Sequence, residues 1–196
     1  MKRLKYPLLI ASFLWFIMFS PWTAPKINFW ISMACSASIL IILSYLYNKD
    51  LLKQFRFNTK DVLLGLASAA VLWVVFYIGD FMSSLIFDFA KPQVNSIYDM
   101  KSGENTYFLA ALLMFLIGPA EEIFWRGFIQ KKIGEKHGEW IAFFATTIIY
   151  ALVHIWSFNF MLIMAALVCG VFWGLLYKYN KNLTVLVISH AVWDVA

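Results

Sequence analysis

The chain has 196 residues, of which 62% are apolar and only 14% charged; ordinary soluble domains run at about 45–50% and about 25%, so that class is excluded. Its apolar runs are unbroken rather than alternating, which excludes a membrane β-barrel and predicts an all-α, polytopic transmembrane bundle. The net charge of +5 does not imply nucleic acid as a partner, because the basic residues lie in short loops between apolar runs and form no basic face interleaved with aromatics.

About seven helices are expected, in one membrane domain over residues 1–196. The first run, YPLLIASFLWFIMFSPW (6–22), follows Lys2, Arg3 and Lys5. It starts like a signal peptide, but no small-residue cleavage site follows, and Pro21 and Pro25 crowd the place where one would fall. A retained first helix is the better reading. The second run, Ile27 to Tyr47, carries no charge and is long enough for the ~20 residues a span needs. A polar stretch at 48–61 leads to a third helix, from Val62 to about Phe87, with Asp80 near its far end as an interfacial or polar-cluster residue. The segment 88–107 is rich in Pro, Gly, Asn and Asp and reads as an irregular loop.

A fourth helix starts near Phe108 and runs into GPAEEIFWRGF (118–128), where Pro119 predicts a kink or a restart. After a polar patch at 131–139, a fifth helix runs from Trp140 to about Ile155, a sixth from Phe160 to Tyr177, and a seventh from Asn182 onward. With the N-terminus cytoplasmic, 13 of the 16 Lys and Arg fall inside, leaving only Lys26, Lys91 and Lys101 outside, as the positive-inside rule requires. Cys35 and Cys169 both sit in apolar runs and read as reduced packing residues.

Against this apolar background stand Glu121, Glu122, Arg126, His154, His190 and Asp194. A charged residue near the centre of a membrane helix costs roughly 2.5–3.5 kcal/mol on insertion scales, and such residues usually line functional cavities. Glu122 and Arg126 are i and i+4, acid before base, so they can pair on one helix face. Glu121 points about 100° away from Glu122 and has no partner in its own segment. His190 and Asp194 are also i and i+4. His154 follows Tyr150 by four residues, yet counting ~1.5 Å per residue places it nearer the far side of the membrane than Glu121.

This ordered set resembles the CAAX protease and bacteriocin-processing family of intramembrane endopeptidases. Glu121, Glu122 and Arg126 match its EExxxR motif, Tyr150 and His154 its FxxxH motif with tyrosine for phenylalanine, and His190 and Asp194 its HxxxN/D motif. The resemblance covers residues 108–196, the motif-bearing core; residues 1–107 carry no motif of the family. It implies a helical bundle that hydrolyses a peptide bond of a membrane-associated peptide or protein without a cofactor. Glu121 would be the general base, with His154 helping to hold the attacking water. His190 and Asp194 would stabilise the oxyanion, and Glu122 with Arg126 would support the site. A carboxylate kept from bulk water suits a base working near neutral pH. Asp194, having no proton to donate when ionised, is expected to keep His190 charged so that imidazolium is the donor.

Two other readings fit the same residues. Two histidines and several carboxylates could bind zinc, although no HExxH is present. The polar set could instead relay protons in a transporter, or the bundle could act as a membrane immunity protein. The compact, Lys- and Asn-containing chain suggests a bacterial inner-membrane protein. Substrate identity is not legible from the residues.

Overall fold

A computed structural model describes residues 2–196, with side chains from Leu4 onward; the side chains of Lys2 and Arg3, counted above as inside, lie outside the described residues. The chain is all-helical, and among the described residues there is no strand. We number the helices α1 (Lys2–Phe19), α2 (Phe29–Tyr47), α3 (Thr59–Ile86), α4 (Ala90–Asp99), α5 (Thr106–His137), α6 (Glu139–Val153), α7 (Phe160–Asn180) and α8 (Leu183–Val195). Five of them, α2, α3, α5, α7 and α6 with its following turn, are long and apolar enough to cross a membrane; the apolar parts of α1 and α8 are shorter.

The helix starts have a common cause. Asn28, Asn58, Asn105, Asn159 and Asn182 each turn a side-chain oxygen to a backbone N–H in the first turn of α2, α3, α5, α7 and α8. Each cap satisfies a donor that the helix itself leaves unpaired. Asn182 is fully buried and also bonds both the N–H and the carbonyl of Arg56, tying the α2–α3 connection to the start of α8.

Two expectations are corrected. The segment 88–107 is not irregular throughout, because residues 90–99 form α4. Pro92 does not prevent this, since it stands in the first turn, where its missing N–H is of no consequence. Of the kink or restart expected at Pro119, the restart is overturned, because α5 runs unbroken for 32 residues. It does so by widening into π-helical turns at Leu113–Ile117 and Ile123–Gln130, with a short α-helical piece, Gly118–Glu122, between them. Such turns absorb a local mismatch in the i→i−4 ladder and concentrate at functional sites. In the second of them, the Gly127 carbonyl accepts from both Asn48 Nδ2 and Gln54 Nε2, each at 2.9 Å.

α5 is the buried axis of the molecule, and residues 124–130 are all buried. α8 lies antiparallel across it, and glycines set how close it comes. A Cβ on Gly127 would stand 2.6 Å from Leu183 Cδ1, and one on Gly118 would stand 3.2 Å from Asp194 Oδ2 and 3.3 Å from the Ala191 backbone. On its other side α8 meets Gly65 of α3, where a Cβ would lie 2.8 Å from Ile188 Cβ. α6 and α7 pack together in the same way, with Gly170 and Gly174 against Thr147 and Phe143. α1 closes the bundle with Ala11, Trp15 and Met18 buried in the main core. Large apolar side chains such as Leu63, Val74, Phe81 and Leu85 of α3 are exposed, as a lipid-facing surface allows. Asp80 is exposed near the end of α3. Cys169 is buried as expected, whereas Cys35 is exposed; both are free thiols.

Candidate active site

The polar residues singled out from the sequence lie on three helices around the centre of α5. Glu121, Glu122, Arg126, His154 and His190 are all buried, and Asp194 is 12% exposed at its side chain. Their arrangement follows from the packing of α8 on Gly118 and Gly127. With Leu183 over one glycine and Asp194 over the other, His190 falls beside Glu122.

Glu122 is the hub of the charged residues. Its Oε1 accepts from Arg126 Nη1 at 2.8 Å and lies 2.8 Å from His190 Nδ1. The Arg126 guanidinium donates through Nη2 to the Cys169 carbonyl at 3.2 Å, with its carbon 4.8 Å from the Tyr150 ring centre and 5.6 Å from that of Trp173. The two adjacent carboxylates are thus treated differently: Glu122 has two cationic or potentially cationic partners, and neither of them bonds Glu121.

Glu121 is held from another helix. Its Oε2 accepts the Tyr150 hydroxyl at 2.7 Å, and among the described residues no donor engages Oε1. The carboxylate without a partner in its own segment therefore does have one, two motifs away in sequence.

His154 sits where α6 gives way to a tight turn, His154–Ser157. Its Nε2 receives the indole N–H of Trp15 at 3.0 Å, and its Nδ1 lies 2.8 Å from the Tyr150 carbonyl. An indole nitrogen only donates and a carbonyl only accepts, so the ring is neutral with its proton on Nδ1. Both nitrogens are engaged, and among the described residues no hydrogen bond joins His154 to Glu121. The depth mismatch counted from the sequence has its explanation here. Tyr150, one turn earlier on α6, is the residue level with Glu121.

His190 is stacked on Trp173, with ring centres 3.8 Å apart and planes 20° apart, and Trp173 in turn donates to Ser189 Oγ at 3.1 Å. Asp194 Oδ1 stands 3.6 Å from His190 Nε2, beyond direct hydrogen-bond reach. The expected one-turn contact thus exists as a through-space charge interaction, while the hydrogen-bonding partner of His190 is Glu122. Among the described residues no three His, Cys, Asp or Glu side chains converge as metal ligands.

Two contributors, Trp15 and Trp173, carry no mark in the sequence. They look like any aromatic in an apolar run, and their spacing gives no signal. Tyr150 did carry a signal, a hydroxyl at a motif position where phenylalanine is the rule.

Fold and site together define a multi-pass membrane protein with an ionisable cluster buried among its helices. Residues 103–196 match the sequence model of the Type II CAAX prenyl endopeptidase Rce1-like family. The match falls on the motif-bearing part of the chain and agrees with the resemblance its motifs carry. No curated protein and no solved structure matches the chain. The matched part contains every charged residue of the cluster and leaves out α1 to α4.

Proposed function

We propose that this protein is an intramembrane endopeptidase that hydrolyses a peptide bond of a membrane-associated protein or peptide with a water activated by Glu121. One observation carries the reading. Of two adjacent buried glutamates, Glu122 is tied to Arg126 and His190, whereas among the described residues Glu121 has a single phenol donor on Oε2 and none on Oε1. Residues 108–196 form the catalytic core on this reading, with 1–107 packed around it.

Glu121 Oε1 takes a proton from the water as the water oxygen bonds to the scissile carbonyl carbon and the carbonyl π pair moves onto its oxygen. His190 Nε2 meets that oxyanion. Because Nδ1–H is given to Glu122, Nε2 can donate only when the ring is imidazolium. A preorganised donor of this kind in a dry site is worth ~3–4 kcal/mol of barrier. Collapse of the intermediate breaks the C–N bond, and the proton held by Glu121 passes to the leaving nitrogen. The products are a carboxylic acid and an amine, and the glutamate is restored. His154 shares in holding the water once its Nε2 exchanges Trp15 for it, and Arg126 keeps Glu122 in place.

The test uses purified protein in detergent, wild type beside Glu121→Gln, incubated with a library of membrane-anchored peptides with and without a zinc chelator. Products are read by mass spectrometry. Cleavage by the wild type, unchanged by chelator and absent from the variant, is expected. Cleavage abolished by chelator and restored by zinc overturns the glutamate mechanism in favour of a metal. Proton-coupled flux from reconstituted vesicles with no peptide product overturns the protease reading itself.

A further inference from the structure

We propose that the Tyr150 hydroxyl is a positioning group for the general base, fixing which oxygen of Glu121 faces the water. The inference rests on the reading of Glu121 just given and adds to it a residue that the motif does not supply.

The phenol is immobilised from several sides. Its ring meets Trp125 edge-on at 5.3 Å, meets His154 at 5.3 Å and 79°, and covers the Arg126 guanidinium at 4.8 Å. Its backbone carbonyl accepts from His154 Nδ1 at 2.8 Å. The side chain is 5% exposed, so the hydroxyl has one direction available, and in that direction lies Glu121 Oε2 at 2.7 Å. Among the described residues the carboxylate has no other hydrogen-bond donor. The same ring that presents the hydroxyl to Glu121 lies over the Arg126 guanidinium, which is committed to Glu122 and to the Cys169 carbonyl.

The consequence is geometric. Proton abstraction requires the base to present a lone pair within about 2.6–3.2 Å of the water. A carboxylate pinned through Oε2 presents Oε1 in one orientation. Without the hydroxyl, Glu121 loses the one hydrogen-bond tether it has among the described residues, and it can rotate towards the Arg126 guanidinium next to its neighbour. Phenylalanine at this position keeps the ring contacts and removes only the tether. The substitution that returns the chain to the FxxxH motif should therefore damage this site.

The experiment measures peptide cleavage by wild type, Tyr150→Phe, Glu121→Gln and a protein carrying 3-fluorotyrosine at its tyrosines, each shown to be folded by size exclusion and thermal unfolding. For Tyr150→Phe, kcat is expected to fall about 10–100-fold with KM unchanged, the rate equivalent of one hydrogen bond to a charged group. The fluorinated protein, which keeps the hydroxyl, is expected to retain most of the wild-type kcat. A Tyr150→Phe protein with wild-type kcat overturns the proposal while leaving Glu121 as the base, provided Glu121→Gln is dead. A rise in KM at unchanged kcat also overturns it, because the hydroxyl would then be binding substrate. If Glu121→Gln still cleaves, the reading of the site fails and this inference fails with it.

Discussion

The buried pair of Glu122 and Arg126 can be tested by stability alone, with no substrate. Arg126 is 1% exposed and Glu122 fully buried at their side chains. Arg126→Met keeps most of the aliphatic volume but removes the ion pair, the bond to the Cys169 carbonyl and the guanidinium between two aromatic rings. Among the described residues, Glu122 then keeps only His190 as a partner. Breaking a buried pair from one side costs about 3–5 kcal/mol, because the surviving charge is left without compensation. At about 2–4 °C per kcal/mol for a chain of this size, that is a fall in Tm of about 6–20 °C. The double variant Glu122→Gln/Arg126→Met removes both charges, and the carbonyl of the introduced amide can still accept from His190 Nδ1. It should therefore recover at least half of the loss, a non-additivity expected of residues that share partners. Thermal unfolding of the three proteins in one detergent decides the matter. A double variant no more stable than Arg126→Met would refute the argument, since the cost would then lie in packing rather than in an orphaned charge.

Two further outcomes follow from the seating of α8. Gly118→Ala places a methyl 3.2 Å from Asp194 Oδ2, which can swing aside, and 3.3 Å from the Ala191 backbone, which can give way only by a shift of α8 of a few tenths of an ångström. Cleavage is expected to fall by at least about tenfold while Tm shifts by only a few degrees, because small displacements of a donor weigh more on the barrier than on stability. A normal kcat would show that His190 does not depend on that approach. Asp194→Asn removes a through-space charge but leaves the hydrogen bond between His190 and Glu122, so cleavage is expected to drop by less than about tenfold. A complete loss would move Asp194 from support of His190 to direct contact with the oxyanion.

Much of this architecture was legible in the residues. The apolar runs located every spanning helix, because a backbone in lipid must satisfy its own hydrogen bonds and the segment length is set by the bilayer. The spacing of Glu122 and Arg126 predicted their pair, which survives even though Arg126 lies within a π-helical turn. The continuity of α5 through Pro119 could not be read, because it depends on a change of helical pitch that no propensity encodes. Nor could α4, whose sequence has the composition of a loop and is held by α7: the Asn159 side chain donates to the Gln93 carbonyl at 2.8 Å. In the candidate site, partners within one helix were legible and partners between helices were not. The bonds from Tyr150 to Glu121 and from Glu122 to His190 depend on register between segments 29 and 68 residues apart, the second of which is set by Gly118 and Gly127 against α8.

The bond between Trp15 and His154 gives the first helix a say in events at the far end of the chain. An imidazole has one lone pair, and in this molecule an indole already holds it. Any water or substrate group that needs that nitrogen must first evict the indole, in competition with a neutral hydrogen bond of about 0.5–1.5 kcal/mol that is sheltered from solvent. The matched family segment begins at residue 103 and does not include Trp15. Residues 103–196 expressed by themselves would keep their motifs but lose this occupant, and His154 would be open from the start.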